Sequence, residues 1–488
     1  MTFSSAEMTT TLVDPEQIKY PIVVDLDGTL VRSDTLHESL MVALFRHPRA
    51  LLSSALALGA GRHAFKAKVA DVVSMADFPL PVREDLLEWL KQKKQDGFEL
   101  HLCSAADQRI VDAVAEFLGI FSTAVGSEGA NLKGSAKARH LLDCFPDGFI
   151  YVGNDRSDLE IWRHSKGIVT AGVSDDVMKM VDRLDIPVLE RFENPKLTFK
   201  ALAKAIRVHH WTKNALVFVP LILAHEWGNF PLVLETILAF IALLAVTSGT
   251  YLLNDISDLR SDRLHWSKKN RALASGALPI KQGFALALGL FIFGFLLAAI
   301  LSLKLLLALV GYLVVTGAYS LGLKRVPLLD MLIIGVLFTI RLIVGIVLIE
   351  GPSPAWLLTF AVFFFFSLAA AKRHTEILRA NALGSESLRA RGYEPEDEPL
   401  TLAIGVGAAL ASLIVIVLFI LQEMLPGNVY SRPELLGGIP LMVSIWLGRI
   451  WVLSHRGKMT DDPVSFAIRD RASLGLALVV ALLFIVAL

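Results

Sequence analysis

Cysteine, net charge and an apolar leader are scarce or missing in this chain. Only two cysteines occur among 488 residues, Cys103 and Cys144, and their spacing suits neither a disulfide framework nor a metal knuckle, so we expect a reducing compartment. The 47 basic residues balance 47 acidic ones, which argues against a nucleic-acid partner held by bulk electrostatics. The first 20 residues contain no apolar run typical of a signal peptide, so we expect the N-terminal region to stay in the cytoplasm.

Charged residues are also scarce, at 19%, whereas 54% of the residues are hydrophobic, a balance typical of a membrane protein. Charges are interspersed up to about residue 205, and long apolar runs recur from about residue 214. The length and this division predict two domains. The predicted segments are a flexible N-terminus (1–19), a cytoplasmic domain (20–195), a linker or interfacial helix (196–213) and a polytopic, all-α membrane domain (214–488).

A transmembrane helix needs about 20 apolar residues. About nine segments qualify: 214–228, 232–253, 281–301, 303–322, 327–349, 354–371, 400–421, 436–454 and 472–488. Basic residues gather in alternate loops, while the loops of the opposite side contain only Lys304 and Arg432. The positive-inside rule then places the N-terminal domain and the basic loops on the cytoplasmic side of a bacterial-type inner membrane.

One of these basic loops, "YLLNDISDLRSDRLHWSKKNRALASG", also carries acidic side chains at regular spacing. Asn254, Asp255, Asp258 and Asp262 stand at i, i+1, i+4 and i+8, which places them along one face of a helix. Cations in this loop could serve only to anchor the helix to anionic headgroups. An anionic surface repels carboxylates, however, and these side chains are oxygen ligands suited to Mg²⁺ and its usual partner, a phosphate group.

The spacing of Asn254, Asp255, Asp258 and Asp262, with "YSLGLKR" at 319–325, resembles the UbiA superfamily of intramembrane transferases. Aromatic prenyltransferases of this superfamily have a second aspartate-rich motif, where this chain has "RVPLLDMLIIG" with only Asp330. Three further segments, at 205–221, 370–379 and 461–472, resemble its polyprenyl-phosphate phosphoribosyltransferase branch, the decaprenylphosphoryl-5-phosphoribose synthases. These segments read "AIRVHHWTKNALVFVPL", "AAKRHTEILR" and "DDPVSFAIRDRA".

This resemblance implies that the membrane domain transfers 5-phosphoribose from phosphoribosyl pyrophosphate to a polyprenyl phosphate. Asp255, Asp258 and Asp262 would hold Mg²⁺ on the pyrophosphate, and Asn254 would hydrogen-bond it. Arg341, inside an apolar span, should face the bundle interior and meet a polar partner. The remaining candidates for binding phosphate, each of which could instead anchor a helix at the interface, are Lys213, Asn214, Arg260, Lys268, Lys324, Lys372 and Arg373.

The cytoplasmic domain carries a second acidic motif in "YPIVVDLDGTLVRSDT". An apolar run predicts a buried strand that ends in Asp25-x-Asp27-Gly-Thr, the position where an open α/β sheet places its ligand site. The motif resembles the first motif of the haloacid-dehalogenase (HAD) phosphatases, over about residues 20–190. The resemblance implies a Rossmannoid α/β fold in which Asp25 is the nucleophile and Asp27 the general acid and base.

The same resemblance supplies the remaining site residues of this domain. Ser104 ends a second strand and would bind phosphate, and Lys133, with Lys137 as the alternative, would stabilise charge. A second Mg²⁺ would be bound by Asp25, the Asp27 backbone, Asn154 or Asp155, and Asp158, where Asn154 replaces the usual acid. Residues from about 34 to 85 would form a helical cap, whose apolar stretches either pack into the core or lean on the membrane.

The two resemblances together predict sequential reactions, in which the HAD-like domain removes the 5-phosphate from the lipid product of the membrane domain. One alternative is an aromatic, 4-hydroxybenzoate-type polyprenyltransferase with a regulatory or unrelated HAD domain. Another is a catalytically silent HAD domain that senses phospholipid. Besides the bilayer and the two substrates, the sequence allows a homo-oligomer and gives no indication of its size.

Overall fold

The computed structural model describes residues 19–46, 49, 79–128, 132–195, 197–265, 268–349, 354–383, 392–426, 430–459 and 463–488. The predicted flexible N-terminus, except for residue 19, and most of the predicted cap lie outside the described residues. The chain forms two compact units: Met1–Ala205 with Leu253–Ala285, and Ile206–Leu252 with Leu286–Leu488. The first unit therefore includes a segment that the predicted boundaries assign to the membrane domain.

The first unit is built on a six-stranded parallel sheet in the order β3-β2-β1-β4-β5-β6. The strands are short and largely apolar, and all residues of β1, β4 and β5 are buried, as expected for a parallel sheet covered on both faces. Their bounds are β1 Ile22–Val24, β2 Leu100–Asp107, β3 Thr123–Ser127, β4 Ile150–Gly153, β5 Gly167–Ala171 and β6 Val188–Phe192. Because β1 lies between β2 and β4, its carboxyl end is the point where the strand order reverses, which is where such sheets bind ligands.

Helices connect successive strands, and one more helix comes after the last strand. They are α1 Thr35–Arg46, α2 Glu84–Gln95, α3 Gln108–Leu118, α4 Ser135–Cys144, α5 Leu159–Trp162, α6 Asp175–Val181 and α7 Phe199–Ala205. The α/β part predicted from sequence is thus present, with a core that includes Tyr151, Trp162 and Ile168.

Leu253–Ala285 joins this unit through a buried arginine, Arg263. Its guanidinium donates two hydrogen bonds to the carboxylate of Glu38 in α1, at 2.6 and 3.1 Å, and both side chains are almost fully buried. The same guanidinium donates to the carbonyl oxygens of Pro79 and Ala274, each at 3.0 Å. One side chain therefore connects three separate stretches of the chain.

The second unit is helical and apolar. Its elements are a 3₁₀ helix at Val208–Phe218, α8 Val219–Leu223, α12 Leu303–Leu321, α13 Leu329–Ile346, α14 Ala355–Leu383, α15 Glu398–Phe419, α16 Gly438–His455, α17 Pro463–Arg469 and α18 Arg471–Ala487. Three helices connect to or lie in the Leu253–Ala285 segment: α9 Phe230–Ser257, α10 Leu259–Leu264 and α11 Ile280–Leu301.

Among the described residues, seven helices are long and apolar enough to cross a membrane, or eight if α17 and α18, bent by 84°, form one span. The predicted count of nine is not confirmed. The first predicted span, 214–228, is divided between the 3₁₀ helix, the five-residue α8 and a further 3₁₀ turn at Glu226–Gly228. Lys213 and Asn214 interrupt the apolar pattern there, and Pro220 has no backbone N–H to extend a helix.

Candidate active sites

The carboxylate of Asp25 lies directly after β1 and contacts a lysine of α4. Lys137 Nζ is 2.7 Å from Asp25 Oδ1, and the lysine side chain is only 4% exposed, compared with 14% for the aspartate. Burial alone would lower the pKa of Lys137, but Asp25 and other anionic neighbours raise it above its ordinary value, so the ammonium stays charged. The nucleophile candidate is therefore held beside a permanent positive charge.

Lys133 does not take the charge-stabilising position predicted for it. Its side chain is 57% exposed, and its Nζ is 4.0 Å from Asp155 rather than against Asp25. It precedes α4, whereas Lys137 lies on the buried face of that helix with Ala138 and Leu141. That i, i+1, i+4 spacing is the sequence signal that favours Lys137 over Lys133.

Asp27 has the environment of a general acid or base. Its Oδ1 accepts a hydrogen bond from the backbone N–H of Thr35 at 2.8 Å. Burial, followed by the nearby carboxylates of Asp34 and Asp25, raises the pKa of Asp27 to about 7. A carboxyl group with this pKa can both donate and accept a proton near neutral pH.

Asp158 organises the loop after β4. Its Oδ2 accepts the backbone N–H groups of Asn154 and Asp155, at 2.8 and 2.9 Å, and its Oδ1 accepts the Tyr151 hydroxyl at 3.1 Å. Burial, and then the charge of Asp25, raises the pKa of Asp158 to about 6. The predicted metal ligand thus makes three protein contacts that fix the loop.

Asn154 and Ser104 complete the polar edge of the sheet. Asn154 Oδ1 accepts a hydrogen bond from the Thr29 hydroxyl at 3.1 Å, and the buried Ser104 Oγ accepts the N–H of Ala106 at 3.2 Å. The carboxylate, amide and hydroxyl oxygens gathered here are ligands that Mg²⁺ accepts. Asp25, Asn154, Asp155 and Asp158 all contribute oxygens to this edge, and Asp158 is the most enclosed of the three carboxylates.

These side chains line one cavity of about 360 Å³. Its wall contains the predicted Asp25, Asp27, Ser104, Lys133, Asn154, Asp155 and Asp158, together with Lys137. It also contains Pro279, Ile280, Lys281 and Gln282 from the start of α11. Nothing in the sequence linked this second stretch to the cavity, because about 250 residues separate it from Asp25.

The aspartate-rich motif forms a second charged cluster, around the guanidinium of Arg271. Arg271 Nη1 lies 3.1 Å from Asp255 Oδ1 and 2.6 Å from Asp262 Oδ2, and both carboxylates are buried. Backbone bonds from Asp258 N to Asn254 O and from Asp262 N to Asp258 O, each 2.9 Å, carry the helical pattern across the break between α9 and α10. The predicted shared face therefore brings two of the acids to one cation.

Sequence reasoning missed Arg271, although it lies in the same basic segment, nine residues after Asp262. Burial raises the pKa of Asp262 above its ordinary value, and Arg271 opposes that shift. Two carboxylates that already share one cation are a donor set suited to Mg²⁺. Of the other predicted residues, Asn254, Asp258 and Arg260 are partly exposed, and Lys268 is exposed on a 3₁₀ turn.

Arg341 is buried within the second unit, as predicted. Its Nε donates to Asn214 Oδ1 at 2.8 Å, and the Asn214 amide donates in turn to Thr247 Oγ1 at 3.1 Å. The guanidinium also lies over the rings of Tyr312 and Phe338, at 5.5 and 5.0 Å. Asn214 thus supplies the polar partner that an intramembrane arginine requires, while Lys213 lies 5.9 Å over the Phe338 ring.

Arg373 is paired with carboxylates in this structure, and its role in phosphate binding stays a prediction. It is buried, and its Nη2 is 2.5 Å from Asp330 Oδ2, while Nη1 contacts Glu376. Asp330 also accepts a hydrogen bond from the Tyr393 hydroxyl. The one acid of the "RVPLLDMLIIG" segment therefore neutralises Arg373 and connects α13 to α14.

Lys372 and Lys324 lie closer to solvent than Arg373. Lys372 is about one-third exposed with Nζ 3.9 Å from Glu376, and Lys324 is partly exposed in a 3₁₀ turn at Leu323–Arg325. Their roles in phosphate binding stay predictions.

Residues 215–486 match the UbiA prenyltransferase family. The chain belongs to that family. Membership, together with the apolar helices, makes it an integral membrane protein and a polyprenyl transferase. The matched region contains Asp255, Asp262 and Arg271, and it also contains the 279–282 stretch that lines the cavity of the α/β sheet.

Relatives of this UbiA-family chain differ in how much of it they cover. An uncharacterized protein of Sinorhizobium fredii, y4nM, is 41% identical over 96% of this chain and 91% of its own length. The nodulation protein NoeC of Azorhizobium caulinodans is 32% identical over 58% of this chain and 93% of its own. The decaprenyl-phosphate phosphoribosyltransferase of Mycolicibacterium smegmatis is 31% identical over 39% of this chain and 62% of its own.

A solved structure of a UbiA homolog from Archaeoglobus fulgidus, bound to GPP and Mg²⁺, is 13% identical and aligns with a TM-score of 0.41. The alignment covers 59% of this chain and 99% of that protein.

Proposed function

We propose that the UbiA part transfers 5-phosphoribose from phosphoribosyl pyrophosphate to a polyprenyl phosphate. The observation that carries this proposal is how the carboxylates of the two acidic segments are paired with arginines. Asp255 and Asp262 form one cluster around Arg271, whereas Asp330 is neutralised by Arg373. The single acid at the place of the second aspartate-rich motif of aromatic prenyltransferases is thus held in an ion pair, and the similarity to decaprenyl-phosphate phosphoribosyltransferases supports a sugar diphosphate as the donor.

In this reaction a phosphate oxygen of the lipid attacks C1 of the ribose, and the bond from C1 to pyrophosphate breaks. Asp255, Asp258 and Asp262 would hold Mg²⁺, which would offset the charge on the departing pyrophosphate. Arg271 and Lys268 are the cations of this segment that can meet the remaining phosphate oxygens. Asn254, beside Asp255, would hydrogen-bond the same group.

The α/β part is proposed to be a HAD-type phosphatase. A carboxylate oxygen of Asp25 attacks the phosphorus of a phosphate monoester, and the P–O bond to the sugar breaks as Asp27 donates its proton to the leaving oxygen. Asp27, now a carboxylate, then removes a proton from the water that cleaves the aspartyl-phosphate. Lys137 neutralises charge that builds up beside Asp25, and Ser104 would hydrogen-bond the phosphate.

The phosphatase substrate would be the transferase product, polyprenyl-phosphoryl-5-phosphoribose. The cavity that contains Asp25 is lined partly by residues 279–282, which belong to the UbiA-matched region. Lys281 therefore offers a positive charge at the same cavity as the proposed nucleophile. A phosphosugar headgroup would place its 5-phosphate against Asp25 in this proposal, with Lys281 offsetting negative charge elsewhere in the cavity.

Mass spectrometry of the lipid products tests both activities. Purified full-length protein is incubated with Mg²⁺, phosphoribosyl pyrophosphate and a polyprenyl phosphate, and wild type should yield polyprenyl-phosphoryl-ribose. Asp25→Asn should accumulate the 5-phosphorylated lipid. Asp255→Asn should form neither lipid, yet should still release phosphate when the 5-phosphorylated lipid is supplied.

Two outcomes would overturn these assignments. Phosphate release by Asp25→Asn at the wild-type rate would remove the phosphatase role while leaving the transferase intact. Absence of any pentose adduct, with product formed instead from a polyprenyl diphosphate and 4-hydroxybenzoate, would make the UbiA part an aromatic prenyltransferase.

A further inference from the structure

Three helices of the second unit bring nitrogen and oxygen ligands together at a place the proposed reactions do not use. His374 of α14, Glu398 at the start of α15 and His455 at the end of α16 have ligand atoms within 4.8 Å of one another. His374 Nε2 and His455 Nδ1 are 3.4 Å apart. His374 is fully buried, Glu398 is partly buried and His455 is exposed.

The hydrogen bonds around His374 fix which nitrogen carries its proton. The Thr401 hydroxyl donates to the carbonyl oxygen of Glu398 at 2.8 Å, so its oxygen is left to accept from His374 Nδ1 at 3.2 Å. The proton of a neutral His374 therefore sits on Nδ1, and the lone pair is on Nε2, facing His455. Metal-binding histidines are usually oriented in this way by a partner on the other ring nitrogen.

The distance between the two imidazole nitrogens matches a shared metal better than a direct hydrogen bond. Bonds of about 2.0–2.1 Å to a tetrahedral Zn²⁺ place two nitrogens about 3.3–3.4 Å apart. Hydrogen bonds between protein groups usually measure about 2.7–3.2 Å, so the observed 3.4 Å would make a weak one.

The donor set also selects the kind of ion. Two imidazoles and a carboxylate are ligands that Zn²⁺ and similar transition metals prefer, whereas Mg²⁺ takes oxygen ligands almost exclusively. Three protein ligands leave one position for water. We propose that His374, Glu398 and His455 form a Zn²⁺-type site that ties the first turn of α15 and the last turn of α16 to α14.

Cobalt(II) is the probe that tests this site, because tetrahedral Co²⁺ absorbs visible light strongly while octahedral Co²⁺ does so weakly. The full-length protein is purified in detergent with a histidine-free tag and stripped with a chelator. Titration should give a tetrahedral Co²⁺ spectrum that one equivalent of Zn²⁺ removes. His455→Gln should weaken binding by roughly 100-fold and Glu398→Gln by at least about 10-fold.

His164→Gln is the matched control, since His164 is an exposed histidine of the α/β unit. It should keep the wild-type spectrum. Wild-type affinity in His455→Gln, or a wild-type protein that shows only weak octahedral absorption, would overturn the proposal. Far-UV circular dichroism of each variant checks its fold, and Zn²⁺ should raise the melting temperature of wild type and His164→Gln but not of His455→Gln.

Discussion

The two ion-pair clusters of the first unit differ in which partner is more buried, the cation or the carboxylate. Beside β1, the cation is the enclosed partner: Lys137 is 4% exposed and Asp25 is more open. In the aspartate-rich motif the carboxylates of Asp255 and Asp262 are enclosed, and the cation, Arg271, is 28% exposed.

The more exposed partner is the one that can meet a substrate or leave its position. In the first cluster that partner is the carboxylate, which suits a nucleophile with a fixed positive charge behind it. In the second it is the arginine, which suits a cation that moves from the carboxylates to a diphosphate. Similar ion pairs therefore support two different kinds of chemistry.

The largest effect should come from the enclosed lysine. Lys137→Met should reduce phosphate release from polyprenyl-phosphoryl-5-phosphoribose by about 10²–10³-fold, because it removes a preorganised charge beside the reacting phosphate. Lys133→Met is the matched control and should cost about five-fold at most, because its exposed pair with Asp155 contributes little. Melting temperatures of both variants separate loss of activity from loss of fold.

An equal loss in both lysine variants would contradict the assignment of Lys137.

The residues around Asp25 show which part of this site could be predicted from the sequence. The position of Asp25 and Asp27 follows from an apolar strand that ends in a carboxylate, a local pattern. The choice between the two lysines could have been made from the apolar face that Lys137 shares with Ala138 and Leu141, but the contact of Lys137 with Asp25 is visible only in the folded structure.

Arg271→Gln should have a smaller effect, on the Mg²⁺ requirement of the second cluster; transfer at saturating Mg²⁺ should fall as well, because the variant loses a cation proposed to meet the diphosphate. Without the guanidinium, Asp255 and Asp262 repel each other and bind a divalent cation more readily. We expect the Mg²⁺ concentration for half-maximal transfer to fall several-fold, measured by product formation across a Mg²⁺ titration. An unchanged or higher Mg²⁺ requirement would mean that Arg271 does not compete with the metal.

The sequence could also not decide the role of neighbouring cations in the bundle. Lys372 and Arg373 are consecutive, yet one is partly exposed and the other is buried against Asp330. Asp330 and Arg373 are 43 positions apart in the sequence, so only the packing of α13 on α14 shows the pair. The apolar helices themselves were predictable from composition, except at 214–228, where short helical pieces replace a regular span.

The smallest expected effect is a pH dependence of folding stability that arises from Asp27, beside the first cluster. The raised pKa of Asp27 means that the folded state binds its proton more tightly than the unfolded state does. Stability should therefore decrease as pH rises from about 4 to about 7. Asparagine cannot ionise, so Asp27→Asn in the presence of EDTA should melt higher than wild type, and by more at pH 8 than at pH 5.

Tryptophan fluorescence during heating measures this difference, which should reach a few degrees at pH 8. The exposed Asp147→Asn should follow the wild-type pH trend. A gap between Asp27→Asn and wild type that stays constant or narrows with increasing pH would contradict the proposed environment of Asp27.

The buried pair of Arg263 and Glu38 affects where the chain can be truncated without destabilising the α/β unit. A protein truncated near residue 205 would leave the Glu38 carboxylate enclosed without its guanidinium, and breaking such a pair costs about 3–5 kcal/mol. The α/β part should therefore be less stable when the chain is cut at residue 205 than in the full-length protein. Its fold is completed by the segment Leu253–Ala285, which joins two apolar helices of the UbiA-matched region, so we expect a stable α/β fragment to require that segment as well.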